Sequence, residues 1–165
     1  MISVEDYLFF VDEALEGMIA IVEELGDSLA NRRPDVPGTN TPFVVLTHCL
    51  GVMAYWIGGG VAGRVIHRDR AGEFMAAGPV AELIEAARGA RARLEEDLRQ
   101  LAPTSPPRFP PGEGDAPQPY YRTQGGVLLH VYEELAQHRG QMEGCRDVLR
   151  APWAHLVAQP GVGGS

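Results

Sequence analysis

Glu134 and His138 are the two side chains in the last third of the chain whose types and spacing could do chemistry. They stand i, i+4 apart, which on a helix is an offset of about 40° around the axis and about 6 Å along it. Both can therefore reach one point. The apolar positions around them, Leu128, Val131, Leu135, Met142, Cys145 and Leu149, recur at three- and four-residue spacing and define a core-facing stripe. His138 falls on that stripe. A carboxylate turned inward is costly unless a charge compensates it, and a cation is an economical solution.

A third ligand must come from another helix, and His48 is the candidate. It lies about two turns into a segment, Phe43 to Ile57, that is otherwise apolar nearly all round except for Thr47. Two histidines and a glutamate would leave coordination positions open, as in catalytic zinc sites; the same set suits non-haem Fe(II) or Ni(II). The plainer alternatives are a hydrogen-bonded core histidine and a Glu134 paired with a core arginine. His130 is also one turn from Glu134, but it stands roughly 12 Å from His138 along the same helix, so the two cannot share an ion. Glu133 points to the next face and reads as solvated. Di-iron bundles require two Glu-x-x-His motifs plus two more glutamates, and no such pair of motifs occurs. Neither a phosphate-binding glycine loop after a strand nor a nucleophile elbow is present.

The elements that must position these residues are helical. A first helix is expected over 4–32, with Ser3 as N-cap and Pro34 as its stop. Thr41 and Pro42 open a second, which Gly58-Gly59-Gly60 should end. Residues 61–78 should form a short helix or structured loop. A third helix follows Pro79, read as a first-turn proline, and ends before Pro103. Residues 102–119 hold seven of the thirteen prolines, a crossover or lid rather than regular structure. The fourth helix is expected over 123–150. This pattern predicts an all-α four-helix bundle, one domain over 1–155 with a glycine-rich tail over 156–165.

The chain has 165 residues and a net charge of −8, which argues against a sequence-independent grip on nucleic acid. Cys49 and Cys145 are too few for a disulfide framework and read as small buried hydrophobes. The N-terminus lacks the pattern of a signal peptide, and no uninterrupted apolar segment is expected to span a membrane. A soluble, cytoplasmic protein acting on a small molecule is expected, with an apolar face on the first or third helix that could pair two copies.

The motif Thr47-His48-Cys49-Leu50-Gly51 followed by Tyr55-Trp56, together with Glu134-x-x-x-His138-Arg139-Gly140-Gln141, resembles the DinB-like superfamily. The resemblance covers roughly Tyr7 to Arg150. It implies a four-helix bundle holding one divalent metal through one residue of the second helix and two of the last. Many members carry three histidines. Glu134 in place of one of them resembles the mycothiol-dependent maleylpyruvate isomerase branch, whose zinc ligands are His, Glu and His. That branch carries a further C-terminal domain, so substrate contacts from such a domain are not expected here. Carried over, the ligands are His48, Glu134 and His138, with zinc first and nickel or iron as alternatives. The resemblance also implies mycothiol or another low-molecular-weight thiol as cosubstrate, used for S-transfer or isomerisation. Metal-dependent hydrolysis without a thiol and a non-catalytic, metal-holding scaffold are the other readings. His130, Gln141, Tyr121 and Arg122 are candidates for contacts behind the ligands or with substrate. Tyr55 and Trp56 read as core.

Overall fold

The computed structural model describes residues 3–109 and 122–151. Its elements are α1 (Val4–Ala30), α2 (Pro42–Met53), α3 (Arg70–Glu73), α4 (Val80–Leu98) and α5 (Gln124–Arg150), with a π-helical turn over Ala54–Gly59 continuing α2. Among the described residues there is no strand. The four long helices form a bundle in which α1 packs on α2, α4 and α5, while α2 packs on α4 and α5. Val11, Met18, Leu46, Ile57, Leu94, Leu135 and Met142 fill its sealed centre. This is the all-α bundle expected from the spacing.

Local chemistry sets the helix starts. Ser3, Thr41 and Thr123 each accept a bond from a backbone N–H in the first turn, the capping geometry that satisfies otherwise orphaned donors. Pro79 departs from expectation: it occupies the cap position of α4, one residue before the helix. A proline has no side-chain acceptor, so the cap comes from elsewhere. Asp27 Oδ1 accepts from Val80 N at 2.7 Å, and Asn31 exchanges two bonds with the backbone of Gly78 at 2.9 and 3.0 Å. Those side chains are free to reach across because α1 kinks at Gly26 (φ 61°) and ends at Ala30, before the expected 32.

The second helix ends at its three glycines, as expected, but through a π-helical turn over Ala54–Gly59 with Gly60 as its C-cap. The glycines also make room: a Cβ on Gly59 would lie 2.7 Å from the Phe109 ring, and one on Gly58 would lie 2.8 Å from the guanidinium carbon of Arg64. Arg64 in turn makes a bidentate pair with buried Asp97 of α4, at 2.9 and 2.7 Å. The span Pro42–Gly59, interrupted by Thr47 and His48, is long and apolar enough to cross a membrane by length and composition alone. It is 72% buried inside the bundle, which marks it as the core helix.

The connection into α5 is held by Gln124, which is buried. Its Oε1 accepts from Ala102 N at 2.8 Å and its Nε2 donates to the Pro106 carbonyl at 3.2 Å. Gln124→Leu would leave both backbone groups without that partner. It should cost about 1–3 kcal/mol in denaturant unfolding, against less than about 0.5 kcal/mol for Gln137→Leu on the solvated face of α5. Equal effects of the two changes would contradict this role.

Candidate metal centre

α2 and α5 pack against each other, and this sets His48 opposite Glu134 and His138. Oε2 of Glu134 lies 3.5 Å from Nε2 of His48 and 3.5 Å from Nε2 of His138. The two imidazoles meet edge to face, with ring centroids 5.2 Å apart. One donor atom from each of the three residues falls within 4.8 Å of the others. In a tetrahedral zinc site with ligand bonds near 2.0–2.1 Å, neighbouring donors are separated by about 3.3 Å. The donor set and its spacing thus fit a divalent metal ion.

The surroundings orient both rings. Nδ1 of His138 lies 2.8 Å from Oε1 of Gln141, one turn on. Nδ1 of His48 lies 2.9 Å from Oε2 of Glu73. An acceptor on Nδ1 leaves Nε2 as the free lone pair, the arrangement common to metal-ligating histidines. The site is sealed on one side and open on the other: the His48 side chain is 7% exposed, whereas Glu134 and His138 are 30% and 26% exposed. Phe74 covers His48, its ring centroid 5.2 Å away.

Contacts with His138 and then His48 hold the Glu134 carboxyl well below the usual carboxylate range. The same carboxylate raises His138 above the usual histidine value. Burial pushes the Glu73 carboxyl up, but its bonds with Arg68 and His48 outweigh that and keep it low. Burial, reinforced by Glu134 and Glu73, drives the Cys49 thiol well above its ordinary value. Burial also raises the Cys145 thiol.

His130 stands outside the three-residue cluster. It packs edge to face on Trp56 at 5.1 Å, its Nδ1 is 3.9 Å from Glu133, and burial lowers its pKa. Arg122 is exposed just ahead of α5, and Tyr121 lies outside the described residues. The core arginine considered as a partner for Glu134 is instead Arg68, and it pairs with Glu73 at 2.6 and 2.8 Å. Neither residue was singled out from the sequence. The available signal was Gly51, a glycine in an apolar helix one turn beyond His48, where such a residue often marks a close approach.

A four-helix bundle with an open His-Glu-His cluster between its second and last long helices defines the class of protein. The chain belongs to the DinB superfamily, whose family model matches residues 11–142. No curated protein and no solved structure matches the chain.

The Glu134–His138 contact gives chelator-treated protein a pH signature. Because His138 is raised in the folded state, its contribution is complete below the ordinary histidine pKa and is lost as pH rises through the raised value. Glu134, being depressed, contributes throughout the neutral range. The difference in melting temperature between wild type and Glu134→Gln should therefore shrink as pH rises from about 6 to about 9. A difference that stays constant or grows contradicts the pairing.

Proposed function

We propose that this protein is a divalent-metal-dependent enzyme in which His48, Glu134 and His138 hold the cation and a small external thiol attacks an electrophilic substrate, by S-transfer or isomerisation. The observation that carries this reading is the convergence of three donors, spaced for a metal and open on one face. A divalent cation held there supplies Lewis acidity and lowers the pKa of a thiol or water that reaches it. Zinc suits the donor set first; nickel and iron follow.

The chain's own residues favour an external nucleophile. Its two cysteines are buried, and burial raises both thiols, so neither supplies a thiolate at neutral pH. The carboxylate of Glu134 offsets one charge of a divalent ion and leaves the site net positive, which attracts an anionic thiolate without binding it irreversibly. The solvent-facing side of Glu134 and His138 provides the approach, while His48 is walled off by Phe74 and Glu73. A mycothiol-type thiol fits the His-Glu-His resemblance. The net charge of −8 supports a small-molecule substrate rather than nucleic acid, and the burial of the second helix inside the bundle supports a soluble protein; we place it in the cytoplasm.

The test is turnover of a panel of small electrophiles by metal-loaded protein with and without a low-molecular-weight thiol. Turnover that requires the thiol is expected, with the thiol consumed in S-transfer or recovered in isomerisation, and it should fall roughly 100-fold or more in His138→Ala. Metal-dependent turnover that ignores the thiol would select hydrolysis instead, and no turnover with any substrate would favour a non-catalytic, metal-holding protein.

A further inference from the structure

His48 has two ring nitrogens, and its two neighbours on the Nδ1 side ask for opposite tautomers. Oε2 of Glu73 lies 2.9 Å from Nδ1, and Nη2 of Arg68 lies 3.3 Å from it. A carboxylate only accepts hydrogen bonds and a guanidinium only donates. With the proton on Nδ1, the ring donates to Glu73 and turns the Nε2 lone pair toward Glu134. With Nδ1 accepting from Arg68, the proton sits on Nε2 and points into the site, and that atom can ligate nothing.

Several features settle the choice. Arg68 already spends Nε and Nη2 on the Glu73 carboxylate, at 2.6 and 2.8 Å. The nearer neighbour of Nδ1 is the acceptor. Glu73 is itself buried, and a charge there persists only when paired and hydrogen-bonded. Space for it is built into α2: a Cβ on Gly51 would lie 2.6 Å from the Glu73 carboxyl carbon. The one-turn helix α3 that carries Glu73 is fixed by Asp69, whose Oδ1 accepts from Gly72 N at 2.9 Å.

We propose that Glu73 is the positioning residue of this centre: it holds His48 in the Nδ1–H tautomer, and Arg68 holds Glu73 in register and balances its buried charge. The consequence for metal affinity rests on the function proposed above; the tautomer itself does not. Outer partners of this kind are worth about 10–100-fold in metal affinity.

The test is ¹⁵N NMR of the histidine rings in the full, chelator-treated chain, followed across a pH series, beside divalent-metal affinity measured by competition with a chelator. Two variants are compared with wild type. Glu73→Met removes the acceptor. The double variant Arg68→Met/Glu73→Met removes both charges, a replacement of a buried ion pair that proteins often tolerate. Wild-type His48 should carry its proton on Nδ1. The variants should shift it toward Nε2 and weaken zinc binding by about 10–100-fold, while His138, bonded to Gln141, stays unchanged. An Nε2–H tautomer in wild type overturns the proposal, as does a double variant that keeps both the wild-type tautomer and affinity. The expected tautomer shifts in a chain that takes up no divalent metal would contradict the proposed function and leave the positioning role standing.

Discussion

The contact between Glu134 and two imidazoles, 3.5 Å on either side, is the interaction around which the structure is arranged. A half-buried carboxylate between helices has to recover the hydration it loses. With their Nδ1 atoms against Gln141 and Glu73, the neutral rings turn Nε2 lone pairs toward it and recover little. A cation at the common focus of the three donors recovers more, because the carboxylate then faces a full charge in surroundings of low dielectric. The same reasoning accounts for the rings' outer nitrogens. Each lies against an oxygen, from Gln141 in one case and Glu73 in the other, so neither ring is left to choose its orientation freely.

The bundle supplies the rigidity this needs. α2 is the most enclosed helix, capped by Thr41 and pressed between α4 and α5, so His48 is presented from a scaffold with little room to shift. α5 places Glu134 and His138 one turn apart, and its register is held by fully buried Val131, Leu135 and Met142. The segment between α2 and α4 closes the remaining side. It brings Arg68, Glu73 and Phe74 over His48 and leaves the α5 side of the cluster facing solvent. One wall is therefore built from packed helices and a salt bridge, and the opposite side is an entrance.

Much of this was legible in the sequence. The 3.6-residue stripes of α1, α4 and α5 gave the helices, because burial of one face dominates their stability. Thr41, Pro42 and Thr123 marked helix starts through local capping chemistry. Glu134 and His138 were readable because i, i+4 spacing alone makes them neighbours. The rest depended on tertiary packing. The glycines of residues 58–60 read as a stop and do end the helix, but they also accommodate Phe109 and Arg64, contacts no local rule predicts. Pro79 read as a first-turn residue because its cap, Asp27, lies 53 residues away. Glu73 and Arg68 sat in an irregular stretch without periodicity, and only the fold brings them to His48. The twelve residues 110–121, with the expectation placed on Tyr121, lie outside the described structure.

The central claim is that the three donors form one metal site, and metal stoichiometry tests it most directly. Elemental analysis of the purified chain after reloading with zinc, nickel or iron should find about one metal per chain. His48→Ala, Glu134→Ala and His138→Ala, each shown by circular dichroism to remain helical, should each lose it. A folded wild type that takes up no divalent metal, or single variants that retain a full equivalent, would contradict the account.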